Sequence, residues 1–149
     1  MSVANTHFGA GEIGKMLARC SSIYFIGIGG INMSSLAHIS LNRGYRVAGS
    51  DKTRTELTIK LEREGIHINY CHDGENITGF DAVVYTVAIS EDNPELVRAK
   101  SLGIPCISRA DYLGYVMTGY KCRIGISGMH GKSTCTSMAT HIAMHLGLD

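Results

Sequence analysis

The chain has no tryptophan, only two prolines and little charge of either sign. Its 14 Lys and Arg stand against 13 Asp and Glu, a formal net charge of +1. Charged residues make up 18% of the 149 positions, against about 25% in an ordinary globular domain. A balance this even excludes a broad basic face for nucleic acid, and a hydrophobic fraction of 44% excludes a disordered chain. No apolar run approaches the roughly 18 residues of a membrane-spanning helix. Glu12, Lys15 and Arg19 interrupt the N-terminal stretch, so it does not read as a secretory signal. The five cysteines (Cys20, Cys71, Cys106, Cys122 and Cys135) are odd in number and form no C-x-x-C pair. They read as reduced thiols of a cytoplasmic protein. Neither nucleic acid nor a membrane is an expected partner.

What the chain does have is glycine, 18 residues of it, placed between apolar runs and helical patterns. Strands are expected at Ser22–Ile28, Tyr45–Gly49, Ile66–Tyr70, Asp81–Thr86, Pro105–Ser108 and Cys122–Ser127. Helices are expected over Asn32–Arg43, after a Thr53/Glu56 capping-box spacing up to Gly65, from the Asn93-Pro94-Glu95 start to Gly103, over Arg109–Thr118, and from the last glycine turn through Leu146. Alternating strands and helices with little two-residue alternation predict an α/β fold: a Rossmann-like parallel sheet with helices on both faces, followed by a truncated strand, phosphate loop and helix. Residues 1–21 are expected to form a leader, either a short helix or disordered. Residues 22–120 form the main domain, and residues 121–149 open a second one. Function is expected at the carboxyl ends of the strands.

Two glycine turns carry the chemistry. Gly27-Ile28-Gly29-Gly30-Ile31-Asn32-Met33-Ser34 leaves a strand and enters a helix, where backbone N–H groups and the helix dipole suit a diphosphate. Asp51 closes the next strand, in the place of the acid that contacts a ribose in dinucleotide-binding domains. The third glycine of that pattern is missing, because Asn32 stands there. The second turn, Gly128-Met129-His130-Gly131-Lys132-Ser133-Thr134, is a short Gly-x-x-Gly-Lys-Ser phosphate loop. Lys132 would reach nucleotide phosphates, and Ser133 would offer a hydroxyl to Mg²⁺. Two such turns suggest two different nucleotides. The adjacent Cys71 and His72 lack the second pair that a zinc site requires.

The words FIGIGGINMS (25–34), Gly49-Ser50-Asp51, YTVAI (85–89), Asn93-Pro94-Glu95, Gly103-Ile104-Pro105, Arg109-Ala110 and Gly131-Lys132-Ser133-Thr134 occur in the order found in the Mur ligases. The sequence resembles that family from Tyr24 to about Ala143, most closely the members that join L-alanine to UDP-N-acetylmuramate. The resemblance implies an N-terminal domain that holds UDP, then an ATP- and Mg²⁺-dependent domain that phosphorylates the muramic acid carboxylate for attack by the amino acid. It places Gly29, Gly30, Ile31, Met33 and Ser34 at the diphosphate and nucleoside, and Asp51 at the ribose or uracil. His72, Thr86, Ala88 and Ile89 form the wall at the strand ends. Gly128, Met129, His130, Gly131, Lys132, Ser133 and Thr134 form the ATP loop. The sequence departs from the family pattern at Asn32, Cys71, Met129 and Ser133.

The chain ends 17 residues after Lys132. It is therefore expected to be inactive alone, as a fragment, an engineered piece or a truncated gene product. The apolar stripe of Met138, Ile142 and Leu146, beside an orphan strand, suggests self-association. Two other readings stay open: an NAD-binding dehydrogenase or redox-sensor domain, and a non-catalytic UDP-sugar-binding module.

Overall fold

The computed structural model describes residues 7–147. They fall into two compact units divided after Gly119.

The first unit is built on five parallel strands: β1 (Ser22–Ile26), β2 (Arg46–Ser50), β3 (His67–Asn69), β4 (Ala82–Tyr85) and β5 (Cys106–Ser108). Their order in the sheet is β3-β2-β1-β4-β5. All five residues of the central strand β1 are buried, as a strand covered on both faces requires. The register sets Ile26 beside Ser50 on one side and Tyr85 on the other, so three strand ends share one carboxyl edge. The chain reverses its direction of winding between β1 and β4, and a crevice opens at such a point in a doubly wound sheet.

Successive side chains of each strand enter opposite cores. Ile23, Phe25, Val47, Ala82 and Val84 pack with Ile13 and Leu17 of α1 (Ala10–Leu17), Leu36 and Ala37 of α2 (Ile31–Asn42), and Tyr112 and Val116 of α5 (Arg109–Thr118). Tyr24, Ile26, Ala48 and Val83 pack on the other face, against Leu96 and Ala99 of α4 (Pro94–Ser101) and Ile77 of a single 3-10 turn, Gly74–Ile77. The α/β fold with helices on both faces is the one expected.

Within residues 1–21, the described part contains the short helix α1, which packs into the core. Ile13 and Leu17 of α1 are 0% and 2% exposed, and burying such side chains stabilises by about 1.5–3 kcal/mol each. Residues 1–6 lie outside the described residues. Two expectations need correction, the Thr53/Glu56 capping box and the strand before the second glycine turn. The capping box of α3 (Glu56–Arg63) is formed by Thr55 and Thr58, not by Thr53 and Glu56. The Thr53 N–H donates to Asp51 Oδ1 at 3.1 Å, and this local turn delays the helix by two residues. In its place Thr58 Oγ1 accepts from the Thr55 N–H at 2.8 Å.

The second unit, residues 120–147 as described, carries α6 (Lys132–His145). The expected strand Cys122–Ser127 does not form. A strand exists by pairing, and no second extended segment among the described residues of this unit offers a ladder.

Candidate functional site at the carboxyl edge of the sheet

The first glycine turn is held by the end of β2. Gly27 and Ile28 donate their N–H groups to the Ser50 carbonyl at 2.8 and 3.0 Å. Gly29 donates to Asp51 Oδ2 at 2.8 Å. A Cβ on Gly29 would stand 2.8 Å from that same oxygen and 3.0 Å from Thr58 Cγ2, so the position admits no side chain without movement. Gly27 sits at φ +82°, where glycine is favoured. Gly30 caps α2 in an extended conformation, and no side chain caps the helix. The first N–H groups of a 12-residue helix therefore point outward beside the turn, which is the arrangement that binds anions.

The end of β4 closes on this turn. A Cβ on Gly27 would lie 3.1 Å from Thr86 Cγ2 and 3.7 Å from Ile89 Cδ1. Beyond it runs a cleft of about 530 Å³ lined by Lys52, His72, Ala88, Ile89, Ser90, Asp92, Asn93 and Pro94. His72 follows β3, and Ala88 and Ile89 follow β4, so all three line the cleft beyond the carboxyl ends of the strands. Lys52, Ser90, Asp92 and Asn93 are additions to the expected wall.

Other candidates play different parts. Met33 is 2% exposed and belongs to the core, so only its backbone can face a ligand. The Ser34 hydroxyl donates to the Ile31 carbonyl at 2.9 Å, turned back along its helix. Ile31 is 76% exposed at the start of α2. Asp51 uses Oδ2 on Gly29 and Oδ1 on Thr53, so its first role is to shape the turn.

Sequence reasoning missed Glu95. It reads as a favourable charge in the first turn of α4, yet it is 0% exposed. Its carboxylate accepts from the Tyr24 hydroxyl (2.9 Å), the Asn76 amide (3.0 Å) and the Ser50 hydroxyl (2.6 Å), with His72 Nδ1 at 2.7 Å. The Asn69 amide donates in turn to the Tyr24 hydroxyl at 3.2 Å. Burial pushes the Tyr24 phenol well above its ordinary range. The one available signal was a tyrosine inside β1 and a serine at the end of β2, both of which need polar partners when buried.

The model of the Mur ligase family, catalytic domain, matches residues 22–121. The chain belongs to the Mur ligase family. The UDP-N-acetylmuramate--L-alanine ligase of Clostridium novyi is 52% identical over 127 residues, 85% of this chain and 28% of the relative. The ligase of the same name from Acetivibrio thermocellus is also 52% identical, over 85% of this chain and 27% of the relative. Among solved structures, the UDP-N-acetylmuramate-alanine ligase of Thermotoga maritima superposes with a TM-score of 0.80 at 37% identity. It covers 84% of this chain, which covers 29% of it. The UDP-N-acetylmuramate:L-alanyl-gamma-D-glutamyl-meso-diaminopimelate ligase of Neisseria meningitides gives 0.79 at 30% identity, over 87% of this chain and 41% of that one. The chain thus spans about 28% of the length of the curated Mur ligases it matches.

The second glycine turn lies in the other unit. Gly131 caps α6 at φ +77° and Gly128 sits at φ +157°, both favouring glycine. No side chain caps α6. Lys132 Nζ donates to the Gly128 carbonyl at 2.7 Å and the Met129 carbonyl at 3.3 Å, so its charge lies over the loop. A helix start without a side-chain cap, with an amine beside it, fits a phosphate group. Met129, His130, Ser133 and Thr134 are all exposed on this loop and helix start. For Mg²⁺ the fit is thinner, since Ser133 supplies a single hydroxyl and the described residues of this unit include no carboxylate side chain. Among the described residues, no helix is long and apolar enough to cross a membrane.

Proposed function

We propose that the first unit holds the UDP portion of UDP-N-acetylmuramate for a ligase that joins L-alanine to it in peptidoglycan synthesis. One observation carries this reading: the α2 N-terminus, without a side-chain cap, stands at the carboxyl edge of the sheet, on which the cleft containing His72 and Lys52 also opens. The printed names of the relatives supply the substrate. The backbone N–H groups from Ile31 to Met33 bind phosphate oxygens, and Asp51 keeps Gly29 and the turn in place. Thr86 and Ile89 pack on the turn, and Ala88 joins Ile89 in the cleft wall.

In the second unit, Gly128, Gly131 and Lys132 would hold the phosphates of ATP, and Ser133 would offer one hydroxyl to a phosphate-bound Mg²⁺. ATP, when bound, supplies the phosphoryl group that activates the carboxylate. Lys132 exchanges its loop carbonyls for phosphate oxygens and neutralises their charge. The substrate-binding unit alone performs no ligation. We assign the reaction to the cytoplasm, where the five free cysteines stay reduced.

Calorimetric titration of the chain with UDP-N-acetylmuramate, with NAD⁺ as the control ligand, tests the assignment. Gly30→Ala is the informative variant. Its Cβ meets nothing closer than 3.6 Å at a φ of −67°, so the fold tolerates it while the methyl obstructs an approaching phosphate. Saturable binding of the UDP-sugar, weakened about tenfold or more in Gly30→Ala, is expected from the loss of charge-assisted hydrogen bonds. Binding of NAD⁺ in place of the UDP-sugar would turn the assignment toward a dehydrogenase domain.

A further inference from the structure

Glu95 is the one charged side chain among the described residues that is fully buried. Each of its oxygens has two partners. Oε1 accepts from the Tyr24 hydroxyl and the Asn76 amide, at 2.9 and 3.0 Å. Oε2 accepts from the Ser50 hydroxyl at 2.6 Å and stands 2.7 Å from His72 Nδ1. Tyr24, Asn76 and Ser50 all donate to the carboxylate, so the remaining place on Oε2 suits an Nδ1–H donor. Ser50 Oγ is also 3.1 Å from that nitrogen, but its proton is directed to Glu95.

Charge leads to the same pairing. A carboxylate removed from water needs a countercharge. Tyr24, Asn76 and Ser50 are neutral donors, and His72 is the one group around the carboxylate able to become a cation. The His72 side chain is 10% exposed and forms part of the cleft wall. With Nδ1 committed inward, Nε2 is the nitrogen left for a ligand. The other charged groups on this cleft are Lys52 and Asp92, and the Asp92 carboxylate accepts from the Ser90 hydroxyl.

We propose that Glu95 is a positioning residue: it keeps Nδ1 of His72 protonated and holds the ring so that Nε2, on the same cleft as Lys52, takes up a proton from water as the diphosphate of the nucleotide-sugar binds and donates it, as Nε2–H, to a phosphate oxygen. The proposal rests on the substrate reading above and adds the residue that orients one of its contacts. A histidine anchored on a buried carboxylate pays little entropy when it meets a ligand, because its ring is already fixed.

The test combines long-range ¹H–¹⁵N spectra of the imidazole ring with calorimetric titration of UDP and UDP-N-acetylmuramate, on the 149-residue chain and its Glu95→Gln variant. The wild type without ligand is expected to show the Nδ1–H pattern, and UDP is expected to convert it to the doubly protonated ring, with Nε2 shifted and Nδ1 still protonated. Glu95→Gln, with its amide facing donors on one side, is expected to lose the pure Nδ1–H pattern and to bind UDP about tenfold more weakly. An Nε2–H pattern in the wild type without ligand overturns the proposal. So does a folded Glu95→Gln with unchanged affinity, or one with weakened binding and an unchanged ring pattern. If Glu95→Gln does not fold, the wild-type spectra decide: an Nε2 signal indifferent to saturating UDP overturns it. If the wild type binds neither ligand, the substrate reading fails and takes the diphosphate contact with it. The Nδ1–H signature still decides separately whether Glu95 sets the ring.

Discussion

The two glycine turns share one local grammar and differ in what stands behind them. In the first, Gly27, Ile28 and Gly29 are tied to Ser50 and Asp51, and the strand before the turn is buried along its whole length. In the second, the loop closes on itself through Lys132, no residue of the following helix is buried, and the segment before it has no strand partner. Met138, Ile142 and Leu146 are 60%, 59% and 64% exposed. The difference teaches that a phosphate-type turn is a local property, whereas its rigidity is borrowed from a sheet.

The comparison can be broken most sharply at Gly49. A Cβ there would lie 2.4 Å from the Phe25 carbonyl oxygen and 2.8 Å from Ile28 Cδ1. Gly49→Ala should destabilise the first unit by about 3 kcal/mol or more, since backbone must move to admit it. Urea unfolding followed by circular dichroism reads the change. Next comes Leu17→Ala, expected to cost about 2–5 kcal/mol if α1 belongs to the core. Ile142→Ala, on an exposed face of α6, should stay within about 0.5 kcal/mol. Equal effects at the two sites would erase the contrast.

Gly131→Ala sharpens it further. The position is open in space but lies at φ +77°. The cost should be about 1–2 kcal/mol and local to the start of α6, leaving the unfolding of the first unit unchanged. Amide exchange provides the check: β1 amides should exchange far more slowly than those of 122–127, and protected amides in 122–127 would show a ladder there after all.

The smallest expected effect is a pH dependence. Asp81 Oδ2 accepts from the backbone N–H and hydroxyl of both Ser21 and Ser22, at 2.8–3.0 Å. These bonds hold its carboxyl at about 2, below the ordinary 3.8. A depressed carboxyl contributes stability that is present above its unfolded value and lost as pH falls through the folded one. Stability should therefore decline between about pH 4 and pH 2, by a modest amount because Asp81 is exposed to solvent screening. Asp81→Asn should flatten that part of an acid-unfolding profile, and an unchanged slope would deny Asp81 the role.

Most of the sheet was legible because a buried parallel strand announces itself by an unbroken apolar run between glycine and helix signals. SIYFI and AVVY are such runs, and both fall where expected. The Asn93-Pro94 start of α4 was equally legible, with Asn93 accepting from the N–H groups of Glu95 and Leu96. Cys122–Ser127, whose apolar residues are separated by Arg123 and Gly125, fails as a strand, because apolarity does not supply a neighbour.

The sequence by itself determined the α/β alternation, the two glycine turns and the family, since these depend on residues close together along the chain. Only the tertiary structure decided that α1 joins the core, that Asp51 shapes the turn, and that Glu95 lies buried against His72. Those facts depend on pairs 22, 23 or 71 residues apart, such as Gly29–Asp51, His72–Glu95 and Tyr24–Glu95. A carboxylate near a helix start is favourable both in water and in a buried hydrogen-bond cage. Its residue type cannot distinguish the two, because the choice depends on which donors the folded sheet brings within reach.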